Sequence, residues 1–111
     1  MRPIRWVYSE MLMRIWSISG PHPFIAASLV EPDESSRIGG LLYQMWRHEG
    51  LIDCVDLIRL TNRVKVYQIR REVCDWCEDR YGPASPLQAD YSAAYLQSYK
   101  QTHNFDNRRV P

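Results

Sequence analysis

Lysine is nearly missing from this chain: of fourteen cationic side chains only Lys65 and Lys100 are lysines, and the other twelve are arginines. Genomic composition alone can produce that balance, but arginine also carries a planar fork of donors suited to phosphates and guanine edges. A surplus of one charge sign is missing too. Thirteen acids leave +1 on 111 residues, so the total alone does not point to nucleic acid, whose dedicated modules are often far more basic. Long apolar runs are absent: the longest uncharged stretch, residues 15–30, is interrupted by Gly20, Pro21 and Pro23, which excludes a membrane span. Cysteine is scarce and odd in number, at Cys54, Cys74 and Cys77. Without a secretory signal this predicts reduced thiols in a cytoplasmic protein, since Glu10 and Arg14 break the apolar core that such a signal needs.

Motifs for catalysis are lacking as well. His22, His48 and His103 are scattered around no recognisable nucleophile. Gly39-Gly40 falls within a helical pattern instead of between a strand and a helix, so it is no phosphate loop. Cys74-Asp75-Trp76-Cys77 is a lone C-x-x-C, and zinc would need two more ligands from Cys54, His48 or His103, with no second C-x-x-C or H-x-x-x-H to supply them. Structural thiols, a metal site and redox regulation stay open there, with structural thiols favoured. Neither an enzyme nor a cofactor or metal protein is expected.

What is there is periodicity. Over 6–18, Val7, Met11, Ile15 and Ile18 recur as the stripe of an amphipathic helix, stopped by Gly20-Pro21. Pro23 opens a second, short helix over about 23–30, with Phe24, Ile25, Leu29 and Val30 as its contacts. Asp33 gives a start signal for a third helix, which runs to about residue 49. Its apolar stripe is Ile38, Leu41, Leu42, Met45 and Trp46, and Ser36, Gly40, Tyr43, Gln44 and Arg47 lie opposite. Gly50 is placed to cap its end. Residues 51–60 and 64–69 read as two strands joined by Thr61-Asn62-Arg63, a turn in which Asn62 tolerates the left-handed conformation. Val73, Trp76 and Cys77 mark a further helix ended by Tyr81-Gly82-Pro83. A last helix over about 86–102 sets Leu87, Tyr91, Tyr95 and Tyr99 four residues apart, with Ala94 beside them. The tail, 104–111, has too little apolar content to pack. These elements predict a mainly α chain with a β-hairpin, divided into a first domain over 1–82 and a C-terminal helix and tail over 83–111.

Ser35-Ser36-Arg37-Ile38 opening the third helix, Trp46-Arg47-His48-Glu49-Gly50-Leu51-Ile52 closing it, and Asn62-Arg63-Val64-Lys65-Val66-Tyr67-Gln68-Ile69 after it carry a resemblance. Over about 6–71 the chain resembles the winged helix-turn-helix DNA-binding domain of small bacterial and phage transcription regulators. The resemblance implies a recognition helix over 35–49, a brace over 24–30 and a wing tip over 62–65. It also implies a sequence-specific duplex-DNA-binding regulator. A helix fits the major groove, where Arg and Gln read base edges with paired donors or acceptors. Arg37, Tyr43, Gln44 and Arg47 are the expected base readers, with Gly40 allowing close approach. Ser36, Arg59, Asn62, Arg63 and Lys65 are expected on the phosphate backbone. Gly39-Gly40 departs from the pattern, because glycine inside a helix costs about 1 kcal/mol relative to alanine. Either Gly40 admits DNA closely or Gly39 packs tightly on the short second helix.

Charge supports the assignment locally. Residues 37–72 hold seven cations (Arg37, Arg47, Arg59, Arg63, Lys65, Arg70, Arg71) and four acids (Glu49, Asp53, Asp56, Glu72), a net of +3, against −1 in each flank. The tyrosine helix suits either core packing or a contact between two copies. A homodimer through Leu87, Tyr91, Ala94, Tyr95 and Tyr99 is expected, which presents two recognition helices to a two-fold site. The alternative from another class is a winged-helix adaptor or inhibitor that turns Tyr43 and the tyrosine helix toward a protein partner.

Overall fold

The computed structural model describes residues 3–29, 34–58 and 64–108, and side chains at 35, 36 and 102–108 fall outside that description. Four α-helices and a two-stranded antiparallel hairpin follow in the order α1 (Trp6–Ser19), α2 (Ser35–Arg47), β1 (Ile52–Ile58), β2 (Val64–Ile69), α3 (Arg71–Tyr81) and α4 (Leu87–Arg108). The chain is therefore mainly helical with a β-hairpin. No helix among the described residues is long and apolar enough to cross a membrane.

α1 buries Tyr8, Met11, Leu12, Ile15, Trp16 and Ser19, while Val7 and Ile18 are only partly covered. The buried face is thus rotated from the expected Val7-Met11-Ile15-Ile18 stripe, because the two large aromatics are drawn inward and outweigh the aliphatic spacing. Trp16 Nε1 donates to the Gly82 carbonyl at 2.8 Å and Tyr81 Oη to the Ser9 carbonyl at 3.0 Å, which binds α1 to the end of α3. Trp16 is buried and Tyr81 partly so, and each satisfies its polar tip.

The second helix expected over 23–30 is not formed. Phe24 instead pairs in antiparallel fashion with Tyr67 of β2, each N–H donating to the other's carbonyl at 2.8 Å. Among the described residues up to 29 a single 3-10 turn, Ala26–Ser28, follows. Phe24 enters the main core, built from α1, α2, α3 and one hairpin face, whereas the next residue, Ile25, enters a second core on the opposite face. Burial on opposite sides by consecutive residues is the period of a strand, and it outcompetes a two-turn helix that is marginal by itself.

The hairpin separates these two cores. Along β2, Tyr67 and Ile69 face the main core, while Val66, with Val64 against it, faces the second. Along β1, Ile52 and Ile58 are an even number of residues apart yet enter different cores. The cause is a bulge between Cys54 and Asp56, which leaves Val55 outside the pairing register and inverts the alternation. The second core is closed by Tyr95, Leu96 and Tyr99 of α4. α4 is anchored again by Gln88, whose Nε2 donates to the carbonyls of Trp16 and Ser17 at 2.9 and 2.7 Å. The expected division at residue 83 therefore separates a helix from a hairpin face that it covers. α4 also extends to Arg108, several residues past its expected end, into the stretch read as an unpacked tail.

Candidate nucleic-acid interface

α2 packs through Leu42 and Met45, both fully buried, with Ile38, Leu41 and Trp46 partly covered beside them. At about 100° per residue its other positions, Arg37, Gly40, Tyr43, Gln44 and Arg47, fall within an arc of about 120°, and all five are exposed. The residues expected to read bases are thus brought together on one solvent-facing surface. Ser36 lies in the helix, but its side chain is outside the described residues, as are Arg59, Asn62 and Arg63 of the expected wing tip and the Asp33 start signal. Lys65 is half-buried on β2, opposite Leu57.

A β-carbon at Gly39 or Gly40 would meet nothing within 4 Å among the described residues, so the tight Gly39 packing considered from the sequence is not seen with residues 23–29. Gly50 differs: at φ +67 it takes the left-handed turn that lets the Leu51 N–H return to the Met45 carbonyl at 2.9 Å. That turn fixes where α2 stops and β1 starts.

The C-terminal turn of α2 carries an aromatic cluster in which Trp46, expected from spacing in the apolar stripe, meets Tyr43 of the outward face. Trp46 sits edge-on to Tyr43 with ring centroids 5.8 Å apart, meets Tyr67 at 6.1 Å, and supports the Arg47 guanidinium 5.2 Å above its own ring. His48 closes on Tyr43 at 6.3 Å. Arg47 is thereby held by cation–π attraction at a helix end whose dipole favours a cation. Buried Tyr67 has its hydroxyl pushed up to about 12 by burial, with Cys54 and Tyr43 adding to the shift. The ring stays neutral and joins α2 to the hairpin.

Cation pairing refines the charge tally. Arg70 is committed to Asp53 at 3.0 Å, with the Gly50 carbonyl at 3.3 Å and Glu72 at 4.0 Å, and Asp56 pairs with Lys100 at 3.5 Å. Arg37, Arg47 and Lys65 pair with no carboxylate among the described residues. The cations left over thus include those on the exposed arc.

On α4 the tyrosine stripe divides. Tyr95 and Tyr99 pack against the second core, as does Leu96, which the four-residue spacing had missed. Leu87, Tyr91 and Ala94 are exposed, with Leu87 at 74%. The thiols are guarded: Cys77 is fully buried and pushed up to about 12 by burial and by Cys74, and Cys74 is raised by burial and by Asp75, Glu72 and Glu78. Among the described residues no group of three or more histidine, cysteine or acidic side chains is arranged to hold a metal ion.

Comparison with models of protein families, with curated proteins and with solved structures gives no match to this chain.

Proposed function

We propose that this chain is a winged-helix-type module that binds duplex DNA sequence-specifically as a transcriptional regulator, with α2 in the major groove and the hairpin against the phosphate backbone. One observation carries the reading: Arg37, Gln44 and Arg47 share an exposed face with glycine at position 40, and among the described residues no carboxylate pairs with either arginine. Two bidentate donors and an amide on one helical face are the side chains that distinguish base edges. A bare backbone at Gly40 brings the helix axis close to whatever it docks on. The elements around α2 follow the order that the resemblance implies, with an extended segment at Phe24 in place of the bracing helix.

Two-fold pairing through Leu87, Tyr91 and Ala94 is part of this proposal and would set two α2 helices against related half-sites. Selection of bound sequences from random duplexes tests the whole reading. A recovered motif with a repeat spacing supports a dimeric reader, a motif without repeat supports a monomeric one, and no retention at low salt rejects DNA binding.

A further inference from the structure

The segment that follows α1 and the middle of α4 enclose a groove of about 590 Å³, within the roughly 300–1,000 Å³ typical of small-molecule sites. Pro23 and Leu96 give it apolar walls, its polar lining is His22, Ser92, Gln97 and Lys100, and no carboxylate among the described residues lines it. These polar groups are largely uncommitted. The side chains of His22 and Gln97 make no hydrogen bond to a described residue. Ser92 is only 4% exposed and its hydroxyl has no partner among the described residues, although buried polar groups are as a rule hydrogen-bonded. Lys100 meets Asp56 at 3.5 Å, which engages one of its three N–H directions.

An ammonium, an amide and an imidazole thus stand over apolar walls, with the Ser92 hydroxyl buried beside them, and only the ammonium already meets an acid, Asp56. The occupant of matching chemistry is a small organic anion with an apolar body. We propose that this groove binds an amphipathic carboxylate: Lys100 and His22 hold the carboxylate, Ser92 gains its missing hydrogen bond, and the apolar body lies on Pro23 and Leu96. The site is separate from the exposed arc of α2 and independent of the DNA-binding reading. Its ligand would bridge α4 to the segment that leads into the Phe24–Tyr67 pair.

Octanoate is the probe and 1-octanol its uncharged match, titrated into the whole chain by calorimetry. One saturable site is expected, with affinity rising roughly two- to fourfold per methylene from butanoate to octanoate. Octanol should bind at least about tenfold more weakly, and Lys100→Gln and His22→Ala should each cost octanoate about tenfold. Ser92→Ala should weaken octanoate binding while the ligand-free melting temperature holds or rises, because an unpartnered hydroxyl is removed. If Lys100→Gln does not fold, His22→Ala at a half-buried position carries the same test. Absence of saturable binding, equal affinity for octanol, or full octanoate affinity in the folded variants overturns the proposal, and none of these outcomes alters the duplex selection.

Discussion

Gln88 closes over Gly20. A β-carbon at Gly20 would stand 2.7 Å from Gln88 Oε1, and the other end of that amide donates to the carbonyls of Trp16 and Ser17. Gly20 also holds φ 57 and ψ −136, a conformation open almost only to glycine. Gly20→Ala therefore meets backbone strain and a collision together, and a loss of about 2–3 kcal/mol is expected. Gln88→Ala, which takes the amide donor from the Ser17 carbonyl and leaves the Trp16 carbonyl with the Gly20 N–H alone, should cost about 1 kcal/mol. Urea unfolding of both variants checks the two values, and an unchanged midpoint for Gly20→Ala would remove Gln88 from its position.

The paired glycines of α2 should behave in the opposite way. Since a β-carbon at Gly39 or Gly40 meets nothing among the described residues, each alanine should stabilise the chain by about 0.5–1 kcal/mol. Under the DNA-binding proposal the pair then separates: Gly40→Ala, on the exposed arc, should weaken duplex binding, and Gly39→Ala should leave it nearly intact. Melting curves and fluorescence anisotropy on the same preparations read both effects.

Alkaline pH should destabilise the fold before it ionises the core. The Cys77 thiol moves from an ordinary 9.0 up to about 12 and the Tyr67 hydroxyl from 10.0 up to about 12, both chiefly through burial. Between those limits the folded chain keeps protons that the unfolded chain has released, so stability is full below the unfolded values and falls as pH rises toward the folded ones. Each group contributes a slope of at most about 1.4 kcal/mol per pH unit. The urea midpoint should fall from near pH 9 upward, and Cys77→Ala should flatten the first part of that decline.

Arg47 and Lys65 should fail in different ways as DNA contacts. Arg47→Ala is expected to relax preference at one base position by about 1–3 kcal/mol, whereas Lys65→Ala should weaken all duplexes alike and lower the salt slope by about one. Binding isotherms on selected and scrambled duplexes across a salt series separate the two. Trp46→Leu provides a control for position: the Arg47 charge remains, the ring beneath it is lost, and discrimination should drop more than overall affinity.

The helices, the hairpin and the exposed arc of α2 were legible because each rests on a local pattern, such as Leu42 and Met45 inside with Arg37, Gln44 and Arg47 outside. Phe24-Ile25 was not. An apolar doublet suits a short helix or a strand equally well until the two cores that receive it are known. The inverted face of Ile58 was hidden for a related reason, since nothing in 52–58 marks Val55 as the bulged residue. The groove beside α4 was out of reach, because His22 and Lys100 are 78 positions apart and only the docking of α4 makes them neighbours.

That docking also orders events during synthesis. The ribosome releases the hairpin with Ile25, Ile58 and Val66 uncovered, and their cover, Tyr95, Leu96 and Tyr99, is translated some thirty residues after Val66. For that interval the nascent chain shows an apolar β surface, the kind of transient exposure that invites aggregation. The emergence of α4, and not the completion of the main core, is then the step that covers this surface.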